Sequence, residues 1–175
     1  MNREDIEAKF KKARSNLFLV VILSAVNVVL ALMNADLTFL FAAIIPSLFI
    51  EMGRLFSEEL GNQIWFYIGV ALAFMGVAIY GLCYTLSKKY KALILVALIL
   101  FSIDSLFLLW MVSSEFDISS IIGIVFHIWV IMCLASGVKA WAALKRISFI
   151  ELTGKNNLEQ TEQTEQTDGD QPSHE

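Results

Sequence analysis

Two side chains raise the question of chemistry in this sequence: Asp104 and His127, each near the middle of a long apolar segment. A carboxyl and an imidazole placed together form either an ion pair or a neutral acid beside a neutral base, exchanging one proton between them. Inside hydrocarbon either group is costly alone, so its presence points to a function or to a partner. The polar stretch 113–117 separates the two segments. In an antiparallel hairpin turning there, Asp104 lies nine residues before Ser113 and His127 nine after Ile118. Both then sit about 13 Å from the turn, at the 1.5 Å rise of a helix.

Other polar or irregular residues fall near the same level. Asn27, seven residues before a turn at Asn34, is about 10 Å deep on the same count, and Pro46 reaches a similar level if the segment following Leu37 dips helically. The candidate polar site is therefore Asp104, His127, Asn27, Ser105 and Pro46. One use of it is a proton relay or proton-coupled site, with Pro46 freeing a backbone carbonyl for a cation or substrate. The other is an Asp/His hydrogen bond, joined by Asn27 or Ser105, that pins helices in register for about 0.6 to 2 kcal/mol.

Catalytic patterns are absent from the sequence. It contains no H-E-x-x-H, no G-x-S-x-G and no second intramembrane Asp, and one His with one Asp is two ligands short of a usual zinc site. Ser102 or Ser105 with His127 is the nucleophilic dyad that remains. The expectation is a non-enzyme with no cofactor and no metal.

The elements that must position these residues follow from composition. Apolar residues make up 57% of the 175, and the mean hydropathy is +0.67, which places the chain in the membrane class before any finer reading. Four segments, 15–33, 64–86, 92–112 and 118–142, approach the roughly 20 residues needed to cross a bilayer. The first lacks a small-residue cleavage site after its apolar run and is read as retained. The expected fold is an all-α integral membrane protein: four transmembrane helices over 15–147, with an outer re-entrant or interfacial helical segment over 37–60.

That segment decides the topology. Its apolar part, 37–50, is short, is interrupted by Pro46 and gives way to Glu51. Treating it as non-crossing puts every Lys and Arg except Arg54 on one side, whereas five crossings would split them almost evenly. The positive-inside rule then favours four spans with both termini cytoplasmic, in a plasma (inner) membrane. Residues 47–60 are expected as an amphipathic helix at the outer surface, turning Leu48, Met52, Leu55 and Phe56 to lipid or bundle.

Helix 1–14 is amphipathic, with Ile6, Phe10, Ala13 and Leu17 on one face and the basic residues Lys9, Lys11, Lys12 and Arg14 at the membrane surface. Gly69, Ala73 and Gly76 give the second span a small-residue face for close packing. In the last span, Gly123, His127, Val130, Leu134 and Gly137 share a face, turning His127 toward protein. Cys83 and Cys133 lack paired spacing and read as packing residues. The last helix is expected to end near Gly154.

The formal charge of -4 is a property of the tail: six of the 17 acids follow Lys155, and the remaining 11 face 13 Lys and Arg. Residues 148–175, with a Glu-Gln-Thr repeat, are expected to be disordered. Partners implied are the lipid bilayer and a membrane protein or a second copy, with no nucleic acid. The function read from sequence is a small accessory or regulatory membrane component, with a proton-coupled carrier or channel subunit as the alternative.

Overall fold

The computed structural model describes residues 2–35, 42–114 and 118–168, and is helical with no strand among them. Five helices follow one another: α1 (Arg3–Leu32), α2 (Ile45–Leu60), α3 (Ile64–Leu86), α4 (Leu93–Ser114) and α5 (Ile118–Asp168). Four stretches within α1, α3, α4 and α5 are long and apolar enough to cross a membrane: Arg3–Leu32, Ile64–Leu86, Leu93–Ser113 and Ser120–Gly154. α1 packs on α3 and α5, and α4 packs on the same two helices, so the four close into a bundle.

Each long helix buries one stripe at helical spacing. In α1 the stripe runs Ile6, Phe10, Ala13, Leu17, Val20, Ser24 and Asn27. In α4 it runs Ile94, Ala97, Phe101, Asp104, Leu108 and Val112, and in α5 Gly123, His127, Val130, Leu134, Gly137, Ala140 and Leu144. Asp104 and His127 thus occupy core positions. The outward faces stay apolar: Phe74 and Met75 on α3, Leu106 on α4 and Val125 on α5 are all more than half exposed.

The two ends of the bundle differ. At the basic end, α1 begins beside the far part of α5, where Arg3 pairs with Glu151 at 3.2 Å, and the α3–α4 turn carries Lys88, Lys89 and Lys91. At the opposite, turn end, α1 closes through Asn34 at φ 54, a left-handed position that a short polar side chain tolerates. Arg54 of α2 bridges to this closure, donating to the Ala31 carbonyl at 2.8 Å and to the Asn34 side chain. α2 ends at Gly61, φ 62, and three residues later α3 starts back alongside it.

α2 covers the helical segment expected over 47–60. It stands against α3 as the second arm of a hairpin, burying Pro46, Ser47, Ile50 and Gly53 and leaving Met52, Leu55 and Phe56 exposed. Glycine allows this. A Cβ on Gly53 would lie 2.8 Å from the Trp65 carbonyl oxygen, and one on Gly69 would strike the Phe49 carbonyl. Two backbones approach closely because neither carries a side chain there. Farther along, Pro46 sits over Gly76, near the middle of α3, so α2 starts level with the middle of the bundle.

α5 differs from its expected length. It continues past Gly154 to Asp168, a run of 51 residues or about 76 Å. Gly154 carries no left-handed backbone, and the residues beyond it, mostly Glu, Gln, Thr and Asn, include the good helix formers Glu and Gln. Residues 169–175 of the expected disordered tail lie outside the described residues.

Candidate functional site: a buried carboxylate at a re-entrant helix start

A helix beginning inside a bundle presents backbone N–H groups that no residue of the same helix can accept. At the start of α2 these donors go to side chains of two other helices. Ala43 N–H donates to Ser24 Oγ of α1 at 3.0 Å. Ile44 N–H is shared between Asp104 Oδ1 at 2.9 Å and Oδ2 at 3.0 Å, and Ile45 N–H donates to Oδ1 at 2.8 Å. Pro46 follows in the first turn, where its missing N–H costs nothing. The positive end of α2 therefore faces the Asp104 carboxyl, an anion site assembled between helices.

His127 completes the arrangement from α5. Its Nδ1 lies 2.9 Å from the Gly123 carbonyl oxygen, which can only accept, so Nδ1 carries a hydrogen. Nε2 then faces Asp104 Oδ2 at 3.3 Å. Two lone pairs would repel across that distance, so one proton is held between the two groups, on the nitrogen or on the oxygen. Phe101 stacks on the imidazole at 4.9 Å between centroids. Asp104 and His127 are 0% and 2% exposed, so both lie buried within the bundle.

The sequence-derived candidates divide here. Asp104 and His127 meet, as their matched depths imply. Asn27, 2% exposed, is linked to them through Ile44, with which it lines a cavity of about 180 Å³ that also includes Ala31, Ser47, Glu51 and Met111. Ser105 does not join them: its hydroxyl donates to the Phe101 carbonyl of its own helix at 2.7 Å. Ser102 likewise donates to Leu98, 2.7 Å away, so neither serine bonds to His127. Pro46 contributes a helix start rather than a freed carbonyl. Trp129 turns away from the pair and lies against Phe126 at 5.7 Å.

Of the four basic residues, Arg14 is engaged within the fold. Its guanidinium donates to Ser87 Oγ at 2.9 Å and lies 5.2 Å from the centre of the Tyr84 ring, tying α1 to the end of α3. Lys9, Lys11 and Lys12 are exposed. Cys83 and Cys133 are free thiols. No cluster of three or more His, Cys, Asp or Glu fit for a metal occurs among the described residues.

Sequence reasoning missed Ser24 and the α2 amides. The signal was present in Ile44-Ile45-Pro46: proline marks a first helical turn, and a helix starting among apolar spans needs an acceptor. Comparison with protein-family models, curated proteins and solved structures returned no match to this chain.

Proposed function

We propose that this chain is a small multi-pass membrane protein of the plasma (inner) membrane, with both termini cytoplasmic, acting as a non-enzymatic accessory or regulatory component. The observation that carries this reading is the saturation of Asp104. Its two oxygens receive the Ile44 and Ile45 N–H groups and face His127, so the carboxyl is committed to holding a re-entrant helix. A cargo site would need a polar group left over, and the cavity beside it stops at Ile44 and Asn27. The surface available to a partner is then the apolar exterior of the bundle, where Phe74, Met75 and Leu82 of α3 are each more than half exposed.

Reconstitution into vesicles loaded with a pH-sensitive dye tests this reading. The chain is expected to pass no protons beyond protein-free vesicles under an imposed gradient. A flux that Asp104→Asn or His127→Gln abolishes, in a protein that still folds, would contradict it. A photo-crosslinking residue at Phe74 or Met75 should capture a membrane-protein partner or a second copy in native membranes.

A second reading rests on one specific observation. The proton held between Asp104 and His127, with a cavity leading from Glu51 to Asn27 and Ile44, is also the arrangement of a proton-coupled carrier or channel subunit. The same flux measurement separates the two.

A further inference from the structure

A groove that runs from the basic end along the outside of α1 and α5, on the opposite side of α5 from His127, combines charge with an apolar wall. It encloses about 360 Å³ between α1 and α5 and is lined by Lys9, Lys12 and Ala13 on one side and by Trp129, Met132, Cys133 and Ser136 on the other. The helices part here only locally: at the edge of the groove Ala13 meets Gly137 so closely that a Cβ on that glycine would collide with it. Trp129 and Met132 are 40% and 58% exposed, so they wall an open surface rather than the core. From Ser136 to Trp129 the wall runs about 10 Å along α5, away from the two lysines.

Two cations at one end of a narrow apolar track fit an amphiphile with an anionic head.

We propose that this groove binds an anionic phospholipid of the cytoplasmic leaflet, its phosphate on Lys9 and Lys12 and one acyl chain along Cys133, Met132 and Trp129. The inference rests on the bilayer reading given above and adds a specific lipid site to it. Each lysine near a membrane surface favours anionic lipid by about fivefold, which is diffuse attraction unless the geometry fixes it. The groove supplies that geometry.

The test uses Trp129 as its own reporter. In full-length protein with Trp65, Trp110 and Trp141 changed to Phe, reconstituted in phosphatidylcholine vesicles, phosphatidylglycerol brominated at mid-chain should quench Trp129 at a mole fraction about tenfold lower than brominated phosphatidylcholine. K9Q/K12Q should remove this preference, and K88Q/K89Q, which deletes the same charge elsewhere at the basic end, should keep it. Native mass spectrometry of the unaltered chain gives an independent readout: phosphatidylglycerol should be retained, and lost in K9Q/K12Q. Equal quenching by both lipids, or equal loss in both double variants, would overturn the site while leaving the membrane reading intact. Quenching by neither would remove the membrane reading itself. A cross-link between Cys133 of two copies would seat a second chain in the groove and overturn the lipid assignment.

Discussion

The two halves of the bundle are held by different physics. At the turn end, α2 is fixed by directional bonds: Ala43 to Ser24, Ile44 and Ile45 to Asp104, and His127 behind them. At the basic end, α1 and α5 meet through Ile6, Phe10, Ala13, Leu17, Leu134 and Leu144, all buried and all apolar. Apolar packing is graded and tolerant of shape, because each methylene contributes separately. A capped helix start depends on one carboxyl that serves several donors together. The turn end should therefore fail abruptly and the basic end gradually.

Asp104→Ala is expected to have the largest effect, about 3 to 5 kcal/mol, since it orphans two buried N–H groups and strips His127 of its partner. Unfolding in mixed micelles measures it. Asp104→Asn should cost only about 1 kcal/mol, because the amide oxygen still accepts from Ile44 and Ile45 and the amide nitrogen can donate to a neutral His127. A loss as large in Asn as in Ala would break the contrast, by showing that charge rather than acceptor geometry holds α2. Combining Asp104→Ala with His127→Ala should recover part of the sum, with a coupling of about 1 to 3 kcal/mol; additive losses would deny the contact.

In the apolar half, Leu17→Ala should cost about 1 to 3 kcal/mol, less than in a water-soluble core. In the proposed bilayer setting the unpacked helix would face lipid, so the cavity contributes and transfer to water does not. Gly69→Leu is expected to cost a similar amount at the turn end, since a side chain there drives α2 off α3. Freed from α3, Phe49 should become reactive to a lipid-phase probe when replaced by cysteine. The smallest effect belongs to Arg14→Gln, about 1 kcal/mol or less, because it removes one part-buried hydrogen bond, to Ser87.

The same contrast explains what could be read from the sequence. Apolar stripes repeat every three or four residues, so the buried faces of α1 and α5 were legible down to Ala13 and Gly137. Matched depth placed Asp104 beside His127, because helical rise is nearly constant. The rest depended on backbone groups, which residue types do not display. Ile44 and Ile45 read as two more apolar side chains, yet their N–H groups decide where α2 starts and what Asp104 does. Ser105 illustrates the converse: a hydroxyl one residue from the carboxyl points to its own helix, a choice that spacing cannot distinguish. Arg14 read as one of four surface cations, although Ser87 and Tyr84, 73 and 70 positions away, hold it. The packing of α2 on α3 was illegible for a related reason, since a Gly53–Gly69 approach is written in two residues that merely look small.

Amide hydrogen exchange at Ile44 and Ile45 tests the central claim most directly. With Asp104 accepting both N–H groups, the two amides should exchange as slowly as those inside α4, remain slow in Asp104→Asn, and exchange at least about a hundredfold faster in Asp104→Ala, a factor corresponding to the 2.8 kcal/mol of two tenfold steps. Fast exchange at Ile44 and Ile45 in the unaltered protein, or rates unmoved by Asp104→Ala, would contradict a re-entrant helix held by a buried carboxyl.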